Sequence, residues 1–116
     1  MFLDLSHTKL HVYTYANDLI VECYTLVKLL PIDERYNLVQ QIKRAALSVK
    51  LNIAEGASRK SPQERKRLLE ISRGSLVELD AAFEVCVKLD YLKIECLTRL
   101  STLVNHTYGM LSKMIT

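Results

Sequence analysis

The chain has little of what interrupts helices: three glycines and two prolines in 116 residues. That is too few to punctuate the many short strands of a sandwich or barrel. No window sustains apolar and polar alternation at period two, so strands have no support. Three cysteines, Cys23, Cys86 and Cys96, give an odd count without a C-x-x-C pair. This excludes a disulfide framework and a structural zinc site as the expected reading, and points to a reducing compartment. No apolar run approaches the roughly 18 residues of a membrane span. Asp4 and polar neighbours stand where the apolar segment of an export signal would lie, so a cytoplasmic protein without a membrane role is expected. A glycine-rich phosphate loop is also missing.

What is present is apolar and periodic. Hydrophobic residues make up 49% of the chain, the upper end of the usual range, and a small helical domain has limited interior in which to hide them. The length suits one domain over residues 1–116. Four helical blocks follow, over about 8–30, 33–56, 62–89 and 94–115. In the first, Val12, Ala16, Leu19, Cys23, Leu26 and Leu30 recur at steps of four and three, and Pro31 stops the helix. The second starts near Asp33 as N-cap and carries Val39, Ile42, Ala46, Val49 and Ile53 on one face; Gly56 marks its end, with the turn falling anywhere up to Ser58. The third has the clearest start: Ser61-Pro62-Gln63-Glu64 offers a capping serine, proline at the first helical position and the glutamate of a capping box. Its stripe is Leu69, Ser72, Leu76, Leu79, Phe83 and Cys86, and the fourth repeats the pattern with Leu97, Leu100, Val104, Tyr108 and Leu111. Short links between such blocks predict an all-α fold, an antiparallel up-down-up-down four-helix bundle.

The second and third blocks each carry another apolar line. Leu47 and Leu51 fall far from the core stripe of block two, while Ile71, Gly74, Ala81 and Val85 line up on the far side of block three. Such lines belong either to a broad buried arc or to a subunit interface, and Leu47 and Leu51 lie too far round for the first.

Charge is uneven as well. Residues 43–73 hold nine basic and three acidic side chains, a net of +6, whereas the rest of the chain sums to −3. The outward cations there, Lys43, Lys50, Arg59, Lys60, Lys66 and Arg67, are candidates for phosphate contacts, by an RNA or DNA backbone for instance, or else form a solvated helical hairpin. No aromatic residue lies between Tyr36 and Phe83, so base stacking is not indicated from within this stretch.

Constellations for catalysis are weak. His7 and His11 stand at i and i+4 without a third ligand nearby, so no metal is expected. Cys23 and Cys86 fall on core stripes, where cysteine acts as a small hydrophobe. Neither a cofactor nor a small-molecule substrate is implied, and the chain reads as a non-enzyme. Arg44, Ser48, Asn52 and Glu55 step along block two, with Ser75 and Glu78 on the matching flank of block three. They suggest a structural polar network in which Arg44 meets a carboxylate.

The run Gln41-Ile42-Lys43-Arg44-Ala45-Ala46-Leu47-Ser48, the motif Asn52-Ile53-Ala54-Glu55-Gly56, then Arg59, Ser61 and Gly74-Ser75-Leu76-Val77-Glu78-Leu79 carry a resemblance. The chain resembles the four-helix proteins encoded in intervening sequences of bacterial 23S ribosomal RNA genes. It is also similar to the accessory variability protein of diversity-generating retroelements, from which its modest net charge of +3 departs. The resemblance implies a homopentamer and association with nucleic acid. Two functions are therefore expected in competition: a homo-oligomer that binds nucleic-acid backbone, or a protein-protein adaptor or scaffold with an incidental basic end.

Overall fold

Apolar residues three and four apart line one face of each of four α-helices, and those faces meet. The computed structural model describes residues 1–3, 5 and 10–116, and among them there is no strand. The helices are α1 (His11–Val27), α2 (Leu38–Ser58), α3 (Pro62–Lys88) and α4 (Thr98–Ile115), with 3₁₀ turns at Ile32–Glu34 and Ile94–Leu97. At about 1.5 Å per residue α3 is roughly 40 Å long, which accounts for the 44 Å long dimension of the chain. α1 packs on α2 and α4, and α3 packs on the same two neighbours. Leu19, Ile42, Ile53, Leu76, Leu79 and Leu111 are fully buried between them, each contributing about 1.5–3 kcal/mol by leaving water.

The third helix starts as its sequence requires: the Ser61 hydroxyl accepts the Glu64 backbone N–H at 3.3 Å, with Pro62 behind it. The return arm of the capping box is replaced, because the Glu64 carboxylate turns to Arg67.

Other boundaries differ from expectation. The first helix ends at Val27, not at residue 30, because the N–H groups of Leu29 and Leu30 reach back only three residues, to Leu26 and Val27. Its expected start at 8 lies outside the described residues. Asp33 caps no helix; it sits in the 3₁₀ turn, and α2 begins five residues later, after Asn37. The fourth helix proper starts at Thr98, since residues 94–97 wind more tightly. Asp90, in the turn before it, takes a left-handed φ of 61°.

Gly56 does not stop α2, which continues to Ser58. It is buried, and a Cβ there would stand 3.3 Å from the Leu68 Cβ and 3.5 Å from the Arg65 carbonyl oxygen. Its small size sets how closely α2 approaches α3. In α4 the buried line is Leu100, Leu103, Thr107 and Leu111, while the expected core residue Tyr108 is 41% exposed. The Thr107 hydroxyl enters the core by donating to the Leu103 carbonyl at 2.7 Å, which satisfies it without water. No helix among the described residues is long and apolar enough to cross a membrane.

Candidate functional site

Only three residues, Arg59, Lys60 and Ser61, join α2 to α3. So short a link brings its own Arg59 and Lys60 close to Arg65, Lys66 and Arg67 in the first turns of α3, and all five stand exposed. Neighbouring carboxylates cover part of this charge. Arg59 pairs with Glu55 at 2.6 Å and Arg67 with Glu64 at 3.1 Å, and the Arg65 guanidinium donates to the Arg59 carbonyl. Among the described residues, Lys60 and Lys66 have no ion pair.

Lys43 and Lys50 lie elsewhere. Each is half-buried on the α1 side of α2, with its ammonium 5.0 Å from the Tyr24 ring centre and 5.1 Å from that of Tyr13 respectively. Such placements combine cation–π attraction with cover for the aliphatic stem. The aromatic partners come from α1, some twenty or more residues away in sequence, so a search for aromatics within the basic stretch passes over them.

The outer face of the α2–α3 pair is apolar. Leu51 is 58% exposed and Leu47 39%, and on α3 Ile71 and Val85 are 41% and 43% exposed. Ala81 is exposed too, and nothing lies within 4 Å of where a Gly74 Cβ would be. Leu47 and Leu51 flank an open groove of about 570 Å³, whose other walls include Gln40, Arg44 and Ser48. Within this chain, then, the two lines form no part of the core.

Half of the expected polar network comes together. The Asn52 amide donates to the Ser48 carbonyl at 2.8 Å and to its hydroxyl at 3.0 Å. The Ser75 hydroxyl lies 2.7 Å from that of Ser48 and 3.2 Å from the Ile71 carbonyl. One hydroxyl proton serves one acceptor at a time, so the two serines share a small exchangeable set across the helix seam. The remaining members stay apart. Glu55 turns to Arg59, while Arg44 and Glu78 are exposed and form no ion pair among the described residues. The reason is rotation: both stand about half a helical turn from their core stripes and point away from the bundle.

The family model of the 23S rRNA-intervening sequence protein matches residues 8–113. The chain belongs to that family. The match takes in all four helices save the last residues of α4, and with them the basic link and the apolar outer face. No curated protein matches it.

In this family member two of the three free cysteines, Cys23 and Cys86, are buried, and the third, Cys96, is exposed. His7 lies outside the described residues and His11 is exposed; among the described residues no three metal-ligating side chains cluster. Burial, reinforced by nearby Glu22, pushes the Cys23 thiol up to about 12, and burial raises Cys86 as well, with Glu34 adding to it. Both therefore remain protonated and unreactive near neutrality. A larger open groove of about 910 Å³ between α3 and α4 has Val77, Phe83 and Tyr108 on its walls, with Asp80 and Glu84 beside them. Those carboxylates are exposed, as on an ordinary solvated helix face.

Proposed function

We propose that this chain acts without catalysis, as a homo-oligomeric bundle, pentameric as its family resemblance implies, that holds RNA or DNA backbone at the α2–α3 link. The observation that carries the reading is the pairing of two features on one helical pair: four large apolar side chains open to water and a cluster of cations at the adjoining turn. Apolar lines of this kind are covered in stable assemblies, and repetition around a ring multiplies a modest basic patch.

The arrangement within each subunit is antiparallel, up-down-up-down. In support, Ser48 meets Ser75 while Val49 meets Ser72; Tyr13 meets Lys50 while Tyr24 meets Lys43; and Tyr15 meets His106 while Glu22 meets Arg99. In each of these three pairs of helices one number rises as the other falls. Three free thiols fit a reducing, cytoplasmic setting.

The adaptor reading has one observation in its favour, the neutralisation of Arg59 and Arg67 by Glu55 and Glu64. Light scattering separates oligomer from monomer. The wild type is expected well above the 13.3 kDa of one chain, and Leu51→Glu, which places a charge in the apolar line, is expected to dissociate it with helix content retained. A wild-type mass of one chain would overturn the oligomer. Retention on RNA that falls steeply with salt supports the backbone contact, and absence of any binding at low salt leaves the adaptor.

A further inference from the structure

Arg44 and Glu78 have opposite charges, face away from their own bundle, and find no ion-pair partner among the described residues. Nearby Arg59 and Arg67 do find carboxylates within the chain, so the omission is not general to this helical pair. The cross-seam contact of Ser48 with Ser75 fixes the relative height of α2 and α3. One turn back from Ser48 is Arg44, and about one turn on from Ser75 is Glu78, which puts the two charges level. Counted from Val49 against Ser72, a second contact across the same seam, Leu47 is level with Gly74 and Leu51 is within one residue of Ile71.

Level residues matter because neighbours in a closed ring are related by rotation alone, with no slide along the axis. If the helices run along that axis, side chains that meet across a subunit boundary must stand at equal height. The two outer lines meet that condition at three successive places, and each is chemically matched. A cation faces an anion, Leu47 faces the empty space over Gly74, and Leu51 faces the exposed Ile71.

Resting on the oligomer reading above, we infer that the boundary is heterologous: the α2 line of Arg44, Leu47 and Leu51 on one copy packs against the α3 line of Glu78, Gly74 and Ile71 on the next, and Arg44 pairs with Glu78 across it. The partner for this face is a second copy of the same chain. Desolvation at the boundary makes the match strict, because an Arg or Glu covered without its counterpart is heavily penalised.

The test uses Arg44→Glu and Glu78→Arg, each alone, together in one chain, and mixed as two differently tagged single variants. Either single change sets like charges across every boundary, so each variant is expected to fall to the mass of one chain with its helical circular dichroism unchanged. The doubly swapped chain is expected to regain the wild-type mass. Mixing the two monomeric variants is expected to give heavier species containing both tags. In such a mixture the α2 line of an Arg44→Glu copy meets the unaltered Glu78 of its own kind unfavourably, whereas the unaltered Arg44 of a Glu78→Arg copy meets the unaltered Glu78 of an Arg44→Glu copy as in the wild type. A pair made within one chain would not respond to mixing, so restoration by the double swap without association on mixing overturns the inference. So does loss of helix content in the single variants, or retention of the full wild-type mass by both. A monomeric wild type overturns the oligomer reading itself, whereas an oligomeric wild type with unaffected single variants overturns the Arg44–Glu78 boundary alone.

Discussion

Ser72 lies fully buried on α3 with its hydroxyl donating to the Val49 carbonyl of α2 at 2.7 Å. A buried hydroxyl without such a partner would cost about 1–3 kcal/mol, so the bond removes a penalty that a serine in the core would otherwise carry. Ser72→Ala removes donor and penalty together, and the Val49 carbonyl keeps its position in the α2 ladder. The expected loss is about 1 kcal/mol. Ser72→Leu forces several extra carbons into the seam between α2 and α3 and is expected to cost more, about 1–3 kcal/mol. Urea denaturation of the three proteins checks the order. A leucine variant as stable as wild type would mean that the seam opens without loss.

Gly56 and Gly109 make a matched comparison, since both are helical and only one is crowded. Alanine in a helix interior is favoured over glycine by about 1 kcal/mol. At Gly109 nothing lies within 4 Å of the added Cβ, so Gly109→Ala is expected to raise the thermal midpoint. At Gly56 the same methyl group meets the Leu68 Cβ at 3.3 Å and the Arg65 backbone. Neither is the free end of a flexible side chain, so the helices must part, and Gly56→Ala is expected to lower the midpoint. Differential scanning calorimetry on both variants decides; a rise at Gly56 would show that α3 yields without loss.

These cases mark what a sequence makes legible. The Ser61 cap is readable because its donor is three residues away and the geometry is wholly local. The core stripes are readable for the same reason, period alone placing Leu19, Ile42, Leu76 and Leu111 inward. Gly56 reads as a stop because a glycine near a helix end usually is one, and its true constraint comes from Leu68 on another helix. Lys43 and Lys50 read as outward-facing because the tyrosines beside them belong to α1. Likewise only half of the Arg44 network forms: Ser48, held by Asn52 within α2, meets Ser75 across the α2–α3 seam, whereas Arg44 and Glu78 start from the far side of their helices. Local chemistry is visible in the sequence, and orientation against a neighbouring helix is not.

Tyr91 offers a pH dependence. Its hydroxyl donates to the Glu34 carboxylate at 2.8 Å, tying the α3–α4 turn to the 3₁₀ turn before α2. That bond, with smaller contributions from burial and the charges of Glu34 and Asp33, raises the Tyr91 phenol above its ordinary value near 10. A group raised in the folded state stabilises fully below its unfolded value, and the contribution is lost as pH climbs through the folded one. Stability should therefore be supported up to about pH 10 and decline beyond it. Tyr91→Phe is expected to melt lower at neutral pH and to lose less on going alkaline, so the two melting curves converge. Thermal melts between about pH 8 and about pH 11 measure this; a constant gap between the proteins would mean that the bond does not report on Tyr91 ionisation.

The basic link is tested by salt. For every phosphate that the protein no longer neutralises, the slope of log affinity against log salt should fall by roughly 0.7 to 0.9. Lys60 and Lys66, free of ion pairs among the described residues, and Arg59, which shares its charge with Glu55, are exposed cations at or close to the turn. Changing all three to alanine is expected to flatten the slope by about two to three for each subunit engaged. Lys43 and Lys50 provide the contrast. They sit about 24 Å and about 13 Å back along α2 from Arg59, on its α1 side against tyrosine rings, and their replacement is expected to change the slope less. Preference among sequences should barely move in any variant, because backbone contacts position a nucleic acid without reading it. Filter-binding titrations at several salt concentrations, on RNA and DNA of equal length, give the slopes directly. Equal slopes for wild type and the triple variant would remove the link from the binding surface, and a larger change from Lys43 and Lys50 would move that surface to the α1–α2 side.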